Sequence, residues 1–151
     1  MNVYICQMKH EKKIDFEDEN FCCPLGTMNR LSKIIGKMFR CHFSKLNVTN
    51  SQVGIFMILK EKGETTQGNL GKMLEIERST ISRDLVRLVN QGYLYKAKGG
   101  KSPLIGLTKK GQELAGEIAV EWKKGYDESR DMLGEKGLAA LRELEERILK
   151  E

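Results

Sequence analysis

Ser79, Arg83 and Arg87 are spaced by four residues within a short run that begins Arg78-Ser79-Thr80-Ile81-Ser82-Arg83. At 100° per residue these three share one side of a helix, with Thr80, Ser82, Val86 and Asn90 at its flanks, while Ile81, Leu85, Leu88 and Val89 follow the i, i+4, i+7, i+8 pattern of a buried side. Arginine pairs bidentately with guanine or clamps a phosphate, and short hydroxyls reach base edges or phosphates. The chemistry implied is contact with a polyanion. A merely solvated helix face is the plain alternative.

Other reactive residue types are sparse. Cys22 and Cys23 precede Pro24 at the expected start of a long helix, where the dipole favours a reactive thiolate, so they form a candidate redox pair. Unreactive thiols are the plain alternative. Cys41-His42 and the Cys6/His10 pair bring metal-ligand types together, but without CxxC or HxxxH spacing, so no metal and no cofactor is expected. With two histidines, no Ser/His/Asp set, no paired carboxylates in an apolar stretch and no phosphate loop, the chain is not expected to be an enzyme.

The elements that must position these groups follow from periodicity. Residues 1–24 lack a period and read as an N-terminal arm. From Leu25, the positions Met28, Leu31, Ile34, Ile35, Met38, Phe39, Phe43 and Leu46 recur at steps of three and four, which predicts a helix over 25–48. Thr49-Asn50-Ser51-Gln52 has capping-box spacing and opens a second, largely apolar helix that Gly63 ends. A short helix capped by Thr65 or Thr66 buries Leu70, Met73 and Leu74; Glu75-Ile76-Glu77 turns the chain into the helix over 78–91, which ends at Gly92. Tyr93 to Lys98 and Leu104 to Thr108 then read as two strands about a Gly99-Gly100 turn, with Pro103 marking a sheet edge. Thr108 caps a long helix with Leu114, Ile118, Trp122 and Tyr126 spaced by four, and a last helix carries Leu138, Leu141, Leu144 and Ile148. These final stripes exceed what one small domain can cover, so they are assigned to packing between subunits.

The chain has 151 residues and a net charge of +5, the size of one ordinary domain. Its charge is uneven: residues 40–112 carry thirteen basic and five acidic side chains, whereas residues 113–151 carry seven basic and eleven acidic ones. A basic middle is the footprint of a region that faces a polyanion. Spanning a bilayer takes about 18 consecutive apolar residues, and none occur. With too few cysteines for a disulfide scaffold, a cytoplasmic protein without membrane association is expected.

Helix, helix, short helix, turn, helix, two-strand hairpin, long helix is the order of a mostly α winged helix-turn-helix with N- and C-terminal dimerisation helices. On that reading 25–48 is the first dimerisation helix, 49–112 the DNA-binding lobe and 113–151 the C-terminal dimerisation helices. The chain resembles the MarR (multiple-antibiotic-resistance regulator) family through Thr49-Asn50-Ser51-Gln52, Thr66-Gln67-Gly68-Asn69-Leu70, Arg78-Ser79-Thr80-Ile81-Ser82-Arg83, Asn90-Gln91-Gly92-Tyr93-Leu94 and Leu107-Thr108-Lys109-Lys110-Gly111. The resemblance implies a homodimeric transcriptional regulator, most simply a repressor, that binds a near-palindromic double-stranded operator and is released by a small-molecule or oxidant effector. DNA contacts would then fall to Arg78, Ser79, Thr80, Ser82, Arg83 and Arg87, with Thr66 and Gln67 on phosphates and Lys96, Lys98 and Lys101 beside the minor groove. Members of this family usually carry an Asp-x-Arg element in the hairpin. Lys98-Gly99-Gly100-Lys101-Ser102 holds neither side chain, so most specificity is expected from the helix at 78–91. A winged-helix module that binds protein rather than DNA is the competing reading.

Overall fold

The computed structural model describes residues 23–97 and 102–149. Five helices and three short strands run α1 (Pro24–Phe43), α2 (Asn50–Lys62), β1 (Thr65–Thr66), α3 (Gln67–Leu74), α4 (Arg78–Asn90), β2 (Leu94–Lys96), β3 (Leu104–Leu107) and α5 (Lys109–Leu149). This is a mostly helical winged helix-turn-helix with long helices at both ends. Pro24 at the first position of α1 suits a helix start, because its missing N–H would have no intrahelical partner. Past Phe43 the chain tightens into one 3-10 turn, Ser44–Leu46, and reverses at Asn47 in the left-handed region (φ 52°).

The capping box at α2 is fully formed: the Thr49 hydroxyl accepts from the Gln52 amide at 3.3 Å, and the Gln52 side chain accepts from the Thr49 amide at 3.1 Å. Val53, Ile55, Phe56 and Leu59 of this helix join Leu70, Ile81, Leu85, Leu88, Leu94, Ile105, Ala115 and Ile118 in one buried core. Gly63 ends α2 at φ 76°, as its position predicts. Thr66, rather than Thr65, caps α3, and Leu70 is buried as expected. Met73 is 42% exposed, against the expectation of a buried side chain. Eight residues make barely two turns, so only Leu70 faces the core squarely, while Leu74 packs on α2 where Gly54 has no side chain.

The sheet also departs from the sequence reading. Its order is β1-β3-β2, all antiparallel, with Thr65 opposite Ile105, Thr66 opposite Leu104 and Leu94 opposite Leu107. β3 is therefore the central strand, not an edge. Pro103 stands one residue before it, where no ladder bond is required of it. The two strands are also shorter than predicted, three and four residues long.

The predicted final helices form one element, α5, interrupted at Gly134 (φ 65°, ψ 172°). α1 crosses α5 closely at Gly125, where a β-carbon would stand 2.8 Å from the Phe39 ring. Beyond that crossing, Leu25, Met28, Leu31 and Ile34 of α1 and Leu144, Ile148 and Leu149 of α5 remain exposed. Trp122 and Tyr126 stack with ring centroids 5.4 Å apart, and Trp122 is 37% exposed.

Tyr95, on β2, lies opposite Gly106, and a β-carbon at Gly106 would stand 2.6 Å from its ring. The phenol donates a hydrogen bond to Glu64, just before β1. That bond, followed by burial and the charge of Glu64, raises the Tyr95 pKa above its ordinary value near 10. The bond's stabilisation is thus complete below the ordinary tyrosine range and is lost as pH rises through the raised value. The difference in tyrosinate absorbance between the parent and Tyr95→Phe should show this late titration. Glu64→Gln should bring its midpoint down, and an unchanged midpoint would contradict the assignment.

Candidate nucleic-acid interface

α4 is held from within by Ile81 and Leu85, both 0% exposed, and by Leu88. A carboxylate sits on this inner side as well. Asp84, 8% exposed, accepts from the Ser51 hydroxyl at 2.6 Å and from the Gln52 side-chain amide at 3.3 Å. A buried carboxylate without such donors would be costly, so the first turn of α2 and the middle of α4 are fixed to one another. Sequence reasoning gave Gln52 a capping role but passed over Asp84 and its contacts with Ser51 and Gln52. The available signal was an acid next to Leu85 on the apolar side of α4, which demands a partner.

On the outer side, Arg78, Ser79, Arg83 and Arg87 are exposed and Thr80 and Ser82 half-buried. Arg83 Nε donates to the Ser79 carbonyl at 3.3 Å, which lays the side chain along the helix. Among the described residues no ion pair engages Arg78, Arg83 or Arg87. Ser82, Arg83, Val86, Arg87, Asn90 and Gln91 line a shallow groove on this face. Gln67 and Arg78 line a second groove with Ser102 and Pro103, so the starts of α3 and α4 converge with the hairpin base. The Thr66 hydroxyl accepts from the Asn69 amide at 3.3 Å, which leaves it one hydrogen to donate outward. Lys96 is exposed on β2. Lys98, Lys101 and Cys22 lie outside the described residues.

Cys6 and His10 lie outside the described residues, and the remaining candidate groups among the described residues are not drawn together. Cys23 is exposed at the cap position of α1, and Cys41 is exposed near its end. His42 donates from Nε2 to Glu128 at 2.7 Å, with its other ring nitrogen 4.0 Å from Glu121. A hydrogen bond from Lys124 holds the Glu121 carboxyl below its usual range. No group of three or more His, Cys, Asp or Glu side chains among the described residues is arranged to hold a metal.

Two of the sequence fragments form a single joint. Thr108 donates from its hydroxyl to the Gly92 carbonyl at 2.7 Å, with the Tyr93 carbonyl at 3.1 Å, and its amide donates to Tyr93 at 3.0 Å. Lys110 donates to the Gln91 carbonyl at 2.9 Å and lies 4.4 Å from the centre of the Tyr93 ring. A cation thus meets carbonyls at the C-terminal end of α4, where the helix dipole favours it. Gly111 is required because a β-carbon there would fall 2.0 Å from the Tyr93 carbonyl oxygen. Gln91-Gly92-Tyr93 and Thr108-Lys109-Lys110-Gly111 therefore lock the end of α4 to the first turn of α5.

A MarR family model matches residues 46–101, from just before α2 to a point between β2 and β3. The HTH-type transcriptional regulator FarR of Neisseria gonorrhoeae is 28% identical over 109 residues, which span 70% of this chain and 75% of FarR. The crystal structure of the transcriptional regulator PA4135 is 25% identical, with a TM-score of 0.75 over 86% of this chain and 98% of that one. NadR in complex with 4-hydroxyphenylacetate is also 25% identical, with a TM-score of 0.70 over 83% of this chain and 93% of NadR. The chain has a winged helix-turn-helix fold, and over residues 46–101 it is similar to the MarR family. No described helix is long and apolar enough to cross a membrane.

Gly111→Ala must displace a backbone carbonyl, so it should cost about 1–3 kcal/mol in urea unfolding. Gly116→Ala, at an open helical position, should be neutral or slightly stabilising, and equal costs at the two sites would refute the joint. Asp84→Ala should cost about 1–3 kcal/mol because it strips Ser51 and Gln52 of their acceptor. A stability change of only a few tenths would show that this clamp contributes little.

Proposed function

We propose that the chain is a homodimeric, sequence-specific DNA-binding transcriptional regulator that acts as a repressor on a near-palindromic operator. The observation that carries this reading is α4, whose inner side is locked in the core while Ser79, Arg83 and Arg87 stand exposed on the outer side, the two arginines without an ion pair among the described residues. An α-helix of this kind fits a major groove, where its outer side chains meet base edges. Thr66, Gln67 and Arg78 are placed for phosphates beside it, with Thr80 and Ser82 at its margins. Lys96, with Lys98 and Lys101, supplies attraction near the minor groove.

The dimer rests on the uncovered apolar residues of α1 and α5, which a second copy would bury so that the two α4 helices sit about one DNA turn apart. An effector releases DNA by changing that spacing, since two helices out of step with the duplex cannot both be seated. The effector is a small molecule or an oxidant acting at Cys22 and Cys23. The complex of NadR with 4-hydroxyphenylacetate supports the former, and the exposure of Cys23 is compatible with the latter. The reading includes no catalytic role, no cofactor and a cytoplasmic location.

Selecting bound fragments from random duplexes, then titrating the selected duplex against salt, tests this proposal. A dimer neutralising about 8 phosphates should show a logarithmic slope near −7. Arg83→Ala should weaken the selected duplex by about 10- to 100-fold while changing binding to unrelated duplexes far less. A flat salt response, or no enrichment of any sequence, would remove DNA from the account and leave a protein-binding module. Peroxide treatment of the parent beside Cys22→Ser and Cys23→Ser separates the two effector classes.

A further inference from the structure

A polar cleft of about 400 Å³ separates the end of α1 from the end of α4, lined by Arg40, Ser44, Asn47, Thr49, Arg87 and Gln91 among others. Two arginines enter it from different helices. Among the described residues neither has a carboxylate partner. Asp84, three residues before Arg87 on the same helix, is committed to Ser51 and Gln52. Arg40 is set against the start of α2: its Nη1 and the Asn50 side-chain nitrogen both lie 3.5 Å from where a β-carbon of Gly36 would stand. The capping box occupies the Gln52 amide and the first helical backbone bond that of Val53, leaving those of Asn50 and Ser51 without an intrahelical carbonyl. Arg87 and Gln91 line both this cleft and the groove along the outer face of α4.

We propose that this cleft is a phosphate seat, in which Arg40 with Arg87 holds a backbone phosphodiester flanking the major groove that α4 enters. The proposal rests on the DNA-binding reading and adds to it a residue outside the helix-turn-helix. Arg40, on a long end helix, thereby orients the lobe on the duplex without reading its sequence. The planar guanidinium suits two phosphate oxygens, and two such groups from separate helices hold the anion from both sides.

The test compares the full-length parent, Arg40→Gln and Arg40→Lys on the selected duplex and on an unrelated one. Arg40→Gln should weaken both duplexes by the same factor, about 3- to 10-fold. It should also make the salt slope shallower by about 2 per dimer, one phosphate for each protomer, at an unchanged melting temperature. Arg40→Lys should restore the slope. Parent binding with a steep slope that Arg40→Gln leaves intact overturns the phosphate seat while sparing the DNA reading, whereas absence of parent binding removes both. A loss confined to the selected duplex makes Arg40 a base reader and also overturns it. In a second arm, inorganic phosphate is titrated at constant ionic strength. Displacement of the parent but not of Arg40→Gln at low millimolar phosphate would assign the cleft to a free anion and overturn the backbone seat.

Discussion

A helix of thirteen residues is marginal by itself in water, so α4 is a positioned element only because its inner side is fixed. Ile81, Leu85 and Leu88 supply that fixation by burial, at about 1.5–3 kcal/mol for each side chain removed from water. Burial alone is not directional. The Asp84 carboxylate adds direction, because its two donors on α2 fix both the height and the rotation of α4. With the inner side fixed in this way, the outer side is left to carry charge and short hydroxyls.

The far end of α4 is governed by contact at backbone distance. A carbonyl that leaves no room for a β-carbon cannot be approached more closely, and the Thr108 and Lys110 bonds prevent it from retreating. α5 therefore cannot tilt at its first turn without moving Tyr93 and the end of α4. α5 runs from this joint to its crossing with α1 at Gly125 and on past Gly134 to the apolar C-terminal stripe. A change of angle along α5 is thereby passed to the end of α4. Close-packed joints of this kind transmit displacement because they have no slack.

Much of this was legible in the sequence where a period or a cap was long enough to register. The apolar side of α4, the Thr49 to Gln52 box and the terminating Gly63 and Gly92 all appear where their spacing placed them. What escaped depended on contacts between segments distant in the chain. β1 has two residues and exists only because β3 pairs with it, so Thr65 and Thr66 carry no strand signal of their own. The same pairing makes β3 central and overturns the edge inferred from Pro103. Asp84 reads as one more charged residue until α2 is placed against it. Gln91-Gly92-Tyr93 and Thr108-Lys109-Lys110-Gly111 were recognisable as separate fragments, but nothing in either announces that they touch.

The placement of charge argues that α4 is built for a partner. On α5 the ionic residues pair with one another along the helix: Lys123 with Asp127 at 2.9 Å, Lys124 with Glu121 at 2.6 Å, Arg147 with Glu143 at 2.7 Å. On α4 the same spacing sets two like charges, Arg83 and Arg87, in succession, an arrangement that destabilises a helix by about 0.2–0.5 kcal/mol. The acid that could have relieved Arg87 is Asp84, and it is turned inward. An ordinary solvated face has no reason to keep this arrangement, since one outward-facing glutamate would remove the strain. A surface that meets a row of phosphates does have such a reason, because the anion relieves the repulsion and an outward carboxylate would oppose its approach.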